Sequence, residues 1–152
     1  MEEALIKDAK GNMLSNMLQG GAYLSFGNIM RHLANGNQII HDNGNAFFFS
    51  GFGYSLYNTF FQPILEVRLS PKTAKMVSAG FAFAGCSLME IIQSFNLDIV
   101  KNNPNWIGSV YDPKDFLAYA LGVGSALTLN LLIDYSRNKS KSTKRINLNI
   151  SQ

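Results

Sequence analysis

Residues Phe116–Ile133 read FLAYALGVGSALTLNLLI, an uncharged run in which only Tyr119, Ser125, Thr128 and Asn130 interrupt the apolar character. Asp115 and Asp134 bound it. A helix on a soluble domain shows a polar stripe every third or fourth residue. A helix that crosses a bilayer needs about 20 mostly apolar residues. This stretch fits the second description, and its neighbours repeat the pattern.

Charged residues make up 15% of the 152-residue chain and fall in short intervals. No charge lies between Asp42 and Glu66, over the aromatic-rich NAFFFSGFGYSLYNTFFQPIL, nor between Lys75 and Glu90. These intervals predict spans at about 45–66, 75–95 and 115–134, the second of which must tolerate Glu90. A further helix over about 13–34 carries Asn16, Gln19, Asn28, Arg31 and His32. It reads as a first span or as an amphipathic helix on the membrane surface. A mean hydropathy of +0.02 keeps a soluble helical fold as the alternative.

Charge layout favours four spans. With both termini in the cytoplasm, Lys7, Lys10, Arg68, Lys72, Lys75, Arg137, Lys139, Lys141, Lys144 and Arg145 are inside, ten of the 13 basic residues. That is the positive-inside distribution. The expected fold class is therefore all-α: an integral membrane bundle of four transmembrane helices, multi-pass in the plasma membrane, with cytoplasmic N- and C-termini. Residues 1–135 form the membrane domain and 136–152 a basic, disordered cytoplasmic tail. The charged start MEEALIKDAKGN lacks an apolar core, so no signal peptide is expected. The tail run SRNKSKSTKR reads as a topology anchor beside anionic lipid rather than a nucleic-acid site.

Small residues predict where helices touch. Ala118, Gly122 and Ala126 recur every fourth residue, as do Ser78, Ala82 and Cys86, and such ridges let backbones approach closely. The two ridges are expected to face each other, or to meet other chains. Cys86, the single cysteine, reads as a packing residue. His32 and His41 stand nine apart, which matches no zinc motif, and no phosphate loop or nucleophile elbow is present. No catalytic residue, metal or cofactor is predicted.

The remaining polar residues gather near one end. In Asp112-Pro113-Lys114-Asp115 the first residue reads as a helix N-cap, followed by proline at the first helical position. Asp115, Tyr119 and Gly122 share a face. Glu90 lies well inside the third span, with Gln93 one turn on. A charged side chain at mid-bilayer costs roughly 2.5–3.5 kcal/mol on insertion scales, so it calls for a partner. Glu90, Gln93, Asp115, Tyr119 and Arg31 are the expected lining of an outward-facing polar pocket, with membrane lipids as partners. A buried structural ion pair is the competing reading of the same residues.

The stretch Met89–Gly124, MEIIQSFNLDIVKNNPNWIGSVYDPKDFLAYALGVG, resembles the VanZ-like family of small multi-pass membrane proteins, in particular its domain-of-unknown-function relatives. Glu90 and Gln93 match that group's Glu-x-x-Gln at the end of one span. Asp112 and Asp115 match its Asp-x-x-Asp opening the next, and Ala118, Tyr119 and Gly122 its small-residue helix. Where the group often carries an arginine in the intervening loop, this chain has Lys101. The resemblance implies a helical membrane protein of the cell envelope and brings no established catalytic activity. Three functions then compete: a protein that binds a lipid or amphiphile head group at the outer pocket, a small structural subunit of a larger membrane complex, and an intramembrane enzyme using Glu90 or Asp115 on a lipid-linked substrate.

Overall fold

The computed structural model describes residues 2–33, 38–95 and 112–150, with side chains described for 11–30, 32–33, 44–95 and 112–140. Four helices make up this part of the chain: α1 Glu2–Leu33, α2 Gln38–Leu65, α3 Pro71–Ser94 and α4 Lys114–Ile150. The fold is all-helical among the described residues. Two helices, α3 and α4 over Lys114–Ser140, are long and apolar enough to cross a membrane.

Local chemistry sets the breaks. Pro63 sits in the last turn of α2, which passes it and stops at Leu65. The N–H groups of Glu66 and Leu69 close the turn onto the carbonyls of Gln62 and Leu65, each at 2.9 Å. Ser70 then caps α3 by accepting from the Thr73 N–H, with Pro71 at the first helical position. Beyond Gly124 no glycine or proline occurs, so nothing in the sequence stops α4. The helix accordingly runs to Ile150, where the sequence reading expects a disordered tail from 136. The helix of the first expected span likewise begins well before residue 13, at Glu2.

α2 is the hub, packing on α1, α3 and α4, and α3 also packs on α4. The interior is unusual in kind. Its buried apolar side chains are Ala46, Tyr54, Ala74, Ala79, Ala82, Cys86, Ala118, Tyr119, Val123 and Ala126. No leucine, isoleucine, phenylalanine or methionine joins them among the described residues. Asn16, Gln19, Ser50, Asn58, Gln62, Lys75, Glu90 and Asn130 are buried instead. The large apolar side chains point outward on every helix, as with Leu14, Leu18, Phe60, Ile64, Phe81, Leu88, Leu121 and Leu132. That arrangement inverts the usual core of a water-soluble domain.

Both predicted small-residue ridges are buried within the chain. Ala82 and Ala126 pack in one cluster with Tyr54 of α2, and Cys86 and Ala118 in another with Ala46 of α2. The ridges therefore meet as expected, but α2 shares the seam. Gly122 faces α2 directly: a Cβ there would overlap the Phe47 carbonyl oxygen and Ser50 Oγ. Neither ridge is left available to another chain. Between α1 and α2, Tyr23 and Phe26 pack on Phe48, with ring centroids 6.2 and 6.5 Å apart.

Candidate functional site

Glu90 lies in the last turns of α3 and is 2% exposed. Cys86 and Ala82 lead to it along the buried face, so the helix periodicity that packs those small residues also turns Glu90 inward. Two groups from across the bundle meet its carboxylate. Tyr119, in the second turn of α4, donates its hydroxyl to Oε1 at 2.7 Å. The backbone N–H of Asp112 lies 3.4 Å from Oε2. Asp112 in turn accepts the Lys114 N–H on Oδ1 at 2.9 Å, as an N-cap does. One carboxylate thus ties the end of α3 to the start of α4.

The other expected lining residues divide. Asp115 is half-buried one turn before Tyr119. Gln93 is half-buried one turn after Glu90, and its buried Oε1 has no hydrogen-bond partner among the described residues. His32 is exposed. The Arg31 side chain and the segment 96–111, with Lys101, lie outside the described residues. Glu90, Tyr119 and Asp112 are the residues that the structure joins directly. No group of three His, Cys, Asp or Glu suited to a metal ion occurs among the described residues.

A second polar layer lies toward the other end, and the sequence reading did not single it out. Lys75 on α3 is separated from Glu90 by about 22 Å of helix. Its Nζ is paired with Oδ2 of Asp134 on α4, the lysine side chain 3% exposed and the aspartate 32%. Beside the pair, Asn16 of α1 accepts on Oδ1 from Asn58 Nδ2 at 3.1 Å and Asn130 Nδ2 at 2.6 Å. Asn130 Nδ2 also lies 3.2 Å from Gln19 Oε1, and Gln19 Nε2 donates to the Ala126 carbonyl at 2.7 Å. One amide network therefore joins α1, α2 and α4. A shallow, open cleft beside it is lined by Asn12, Asn16, Lys75, Asn130, Asp134 and Arg137. The available signal was position: Lys75 and Asp134 each bound an uncharged interval, and Asn130 is the only amide in the apolar run of α4.

The asymmetry of the network gives a test. Removing Asn16 leaves Asn58 Nδ2 without its acceptor and takes the shorter of two bonds from Asn130 Nδ2, whereas removing Gln19 leaves Asn130 Nδ2 still bonded to Asn16. Asn16→Ala is expected to lower stability by about 1–2 kcal/mol, at the upper end of measured interhelical hydrogen bonds in membranes. Gln19→Ala should cost about half of that. Thermal unfolding of the two variants in the same detergent compares them directly.

Searches of protein-family models, curated proteins and solved structures match nothing to this chain.

Proposed function

We propose that the chain is a VanZ-like, four-span membrane protein of the cell envelope with cytoplasmic termini, whose outer polar cluster around Glu90 binds the head group of a lipid or other amphiphile. The membrane reading is supported by the inverted packing. Apolar side chains gain nothing by facing inward when the surroundings are hydrocarbon, while amides and charges must find partners inside. α2 falls short on average hydropathy while its polar residues Ser50, Ser55, Asn58, Thr59 and Gln62 are buried; in α1 Asn16 and Gln19 are buried, and Ser25, Asn28 and His32 are exposed. The outward faces of α2 and α1 carry Phe49, Phe60, Phe61 and Ile64, and Met13, Leu14, Met17 and Leu18. A surface-lying first helix would turn its polar face to water, yet Asn16 and Gln19 are buried against α2 and α4. That favours a span.

The head-group reading rests on one observation: a nearly inaccessible carboxylate near the bundle end, with the half-buried Gln93 and Asp115 beside it. Together they present both acceptors and donors to a polar ligand. The test is native mass spectrometry of the detergent-extracted protein, wild type beside Glu90→Gln and Asp115→Asn. A lipid-sized adduct that is present in wild type and lost in either variant, with melting unchanged, supports the site. An adduct unaffected by both substitutions defeats it.

A second reading, the structural subunit, is favoured by a different feature. Ala120, Gly124 and Thr128 form an outward small-residue face on α4, and Thr128 Oγ1 is already satisfied by the Gly124 carbonyl at 2.8 Å. Such a face suits close approach of a partner helix. Comigration with a larger complex on a native gel, in place of adduct binding, would select this reading.

A further inference from the structure

We infer that two copies of the chain associate in the membrane along the outward face of α1, helices parallel, with Asn28 of one copy hydrogen-bonded to Asn28 of the other. The inference rests on the membrane placement proposed above and is independent of the Glu90 site.

An unpartnered amide is the first ground. Asn28 is the one exposed asparagine or glutamine among the described residues of the four spans. It follows Asn16 by 12 residues, about 18 Å of helix. Asn16 lies beside the Lys75–Asp134 pair at the end proposed as cytoplasmic, so that distance keeps Asn28 within a hydrocarbon layer about 30 Å thick. Exposed hydroxyls on α3 and α4 are satisfied by their own helices: Thr128 donates to the Gly124 carbonyl at 2.8 Å and Ser94 to the Ile91 carbonyl at 2.6 Å. No described residue hydrogen-bonds the Asn28 side chain. An asparagine amide has two donors and an acceptor, and inside a membrane such a group is paired across a helix contact.

The spacing of that face is the second ground. Leu14, Gly21 and Asn28 recur every seventh residue, and Met17 and Leu24 each follow three residues after the first two. All five are exposed, so the bundle uses none of them. Apolar residues at these a and d positions with one asparagine at an a position are the arrangement that fixes register in a two-stranded coiled coil. Gly21 lets the backbones come close, since a Cβ there meets nothing within 4 Å in its own chain. The seam ends at Asn28, before Arg31 at the outer end of α1.

Symmetry selects a second copy as the occupant. Copies inserted with one topology run their α1 helices parallel, and a two-fold axis along the membrane normal sets each seam residue against itself. An asparagine is self-complementary under that operation, donor to acceptor, whereas a carboxylate or an ammonium would repel its copy. Residues 11–30 hold no charge, and the preceding turns mix Glu2, Glu3 and Asp8 with Lys7 and Lys10. The outward face of α4 lacks this neutrality. Its helix continues past Asp134 with Arg137, Lys139, Lys141, Lys144 and Arg145 and no acid, so a second copy docked there would meet like charge.

The test labels the full chain in two pools, with donor and acceptor dyes, and reconstitutes them together in phosphatidylcholine vesicles. Energy transfer is followed as the protein is diluted with lipid. Wild type is expected to associate, and Asn28→Leu to raise the dissociation constant about tenfold. Asn28 is exposed, so its replacement should leave melting unchanged. Gly124→Leu, at an equally open glycine on the outward face of α4, should leave association as it was. A monomeric wild type that stays in the vesicles on alkaline extraction overturns the dimer and leaves the membrane reading intact. So does association that Asn28→Leu does not weaken, or that Gly124→Leu weakens equally. Loss of the wild type from the vesicles on alkaline extraction overturns both.

Discussion

Replacing Gly122 by alanine is expected to cost about 3 kcal/mol or more, at or beyond the top of the range for overpacked sites. The same substitution two residues on, Gly124→Ala, is expected to be neutral or to stabilise by up to about 0.5–1 kcal/mol through helix propensity. Both positions are helical glycines in the same apolar run, so residue type and depth are nearly matched. What differs is what a methyl group meets. At Gly122 it meets the carbonyl oxygen of Phe47, a backbone atom of α2, together with Ser50 Oγ. Ser50 is fully buried and itself donates to the Phe47 carbonyl at 2.9 Å, so it has little room to turn away. Relief then requires α2 and α4 to separate, and α2 is the helix on which the other three pack. At Gly124 nothing lies within 4 Å. Thermal unfolding of the two variants in detergent, monitored by tyrosine and tryptophan fluorescence, gives the comparison. Equal melting would mean that the α2–α4 contact is looser than described.

That seam also shows what the sequence could and could not convey. The helices at 75–95 and 115–134 were legible because an uncharged apolar run of such length has few other uses. The small-residue ridges were legible as packing surfaces because alanine and glycine at every fourth position align on one face. That α2 shares their seam was not, since spacing says which residues share a face and nothing about which further helix comes to it; Phe47 and Ser50 carry no motif. Glu90 stood out because a carboxylate inside an apolar helix demands a partner; Tyr119 was read as lining of the same pocket and Asp112 as a helix cap, not as the groups that meet it. The amide layer was missed for the opposite reason. Asn16 and Gln19 looked like defects in a membrane helix, and only their contacts with Asn58 and Asn130 turn them into a network. Lys75 was read as a topology marker at the edge of a span, whereas the fold buries it. The tail was judged by composition, and the run without glycine or proline continues α4.

Lys75 and Asp134 carry the second large expected effect, and it is directional. Removing one partner of a buried ion pair costs about 3–5 kcal/mol, because the other charge is left uncompensated. The two partners are unequally buried, so the two deletions should differ. Asp134→Asn strands an ammonium that is 3% exposed and should destabilise by about 3 kcal/mol. Lys75→Met strands a carboxylate that is 32% exposed and can rehydrate, so about 1–2 kcal/mol is expected, near the loss of one hydrogen bond to a charged group. The double replacement Lys75→Met with Asp134→Leu removes both charges, and buried pairs replaced by apolar side chains of similar volume are often neutral. It should therefore recover most of the loss seen in Asp134→Asn. The cycle is read from melting temperatures in one detergent at neutral pH. Additive losses in the double variant would show two independent side chains, each hydrated on its own. A double variant more stable than wild type would show that the pair links α3 to α4 at a net cost, retained for something other than stability.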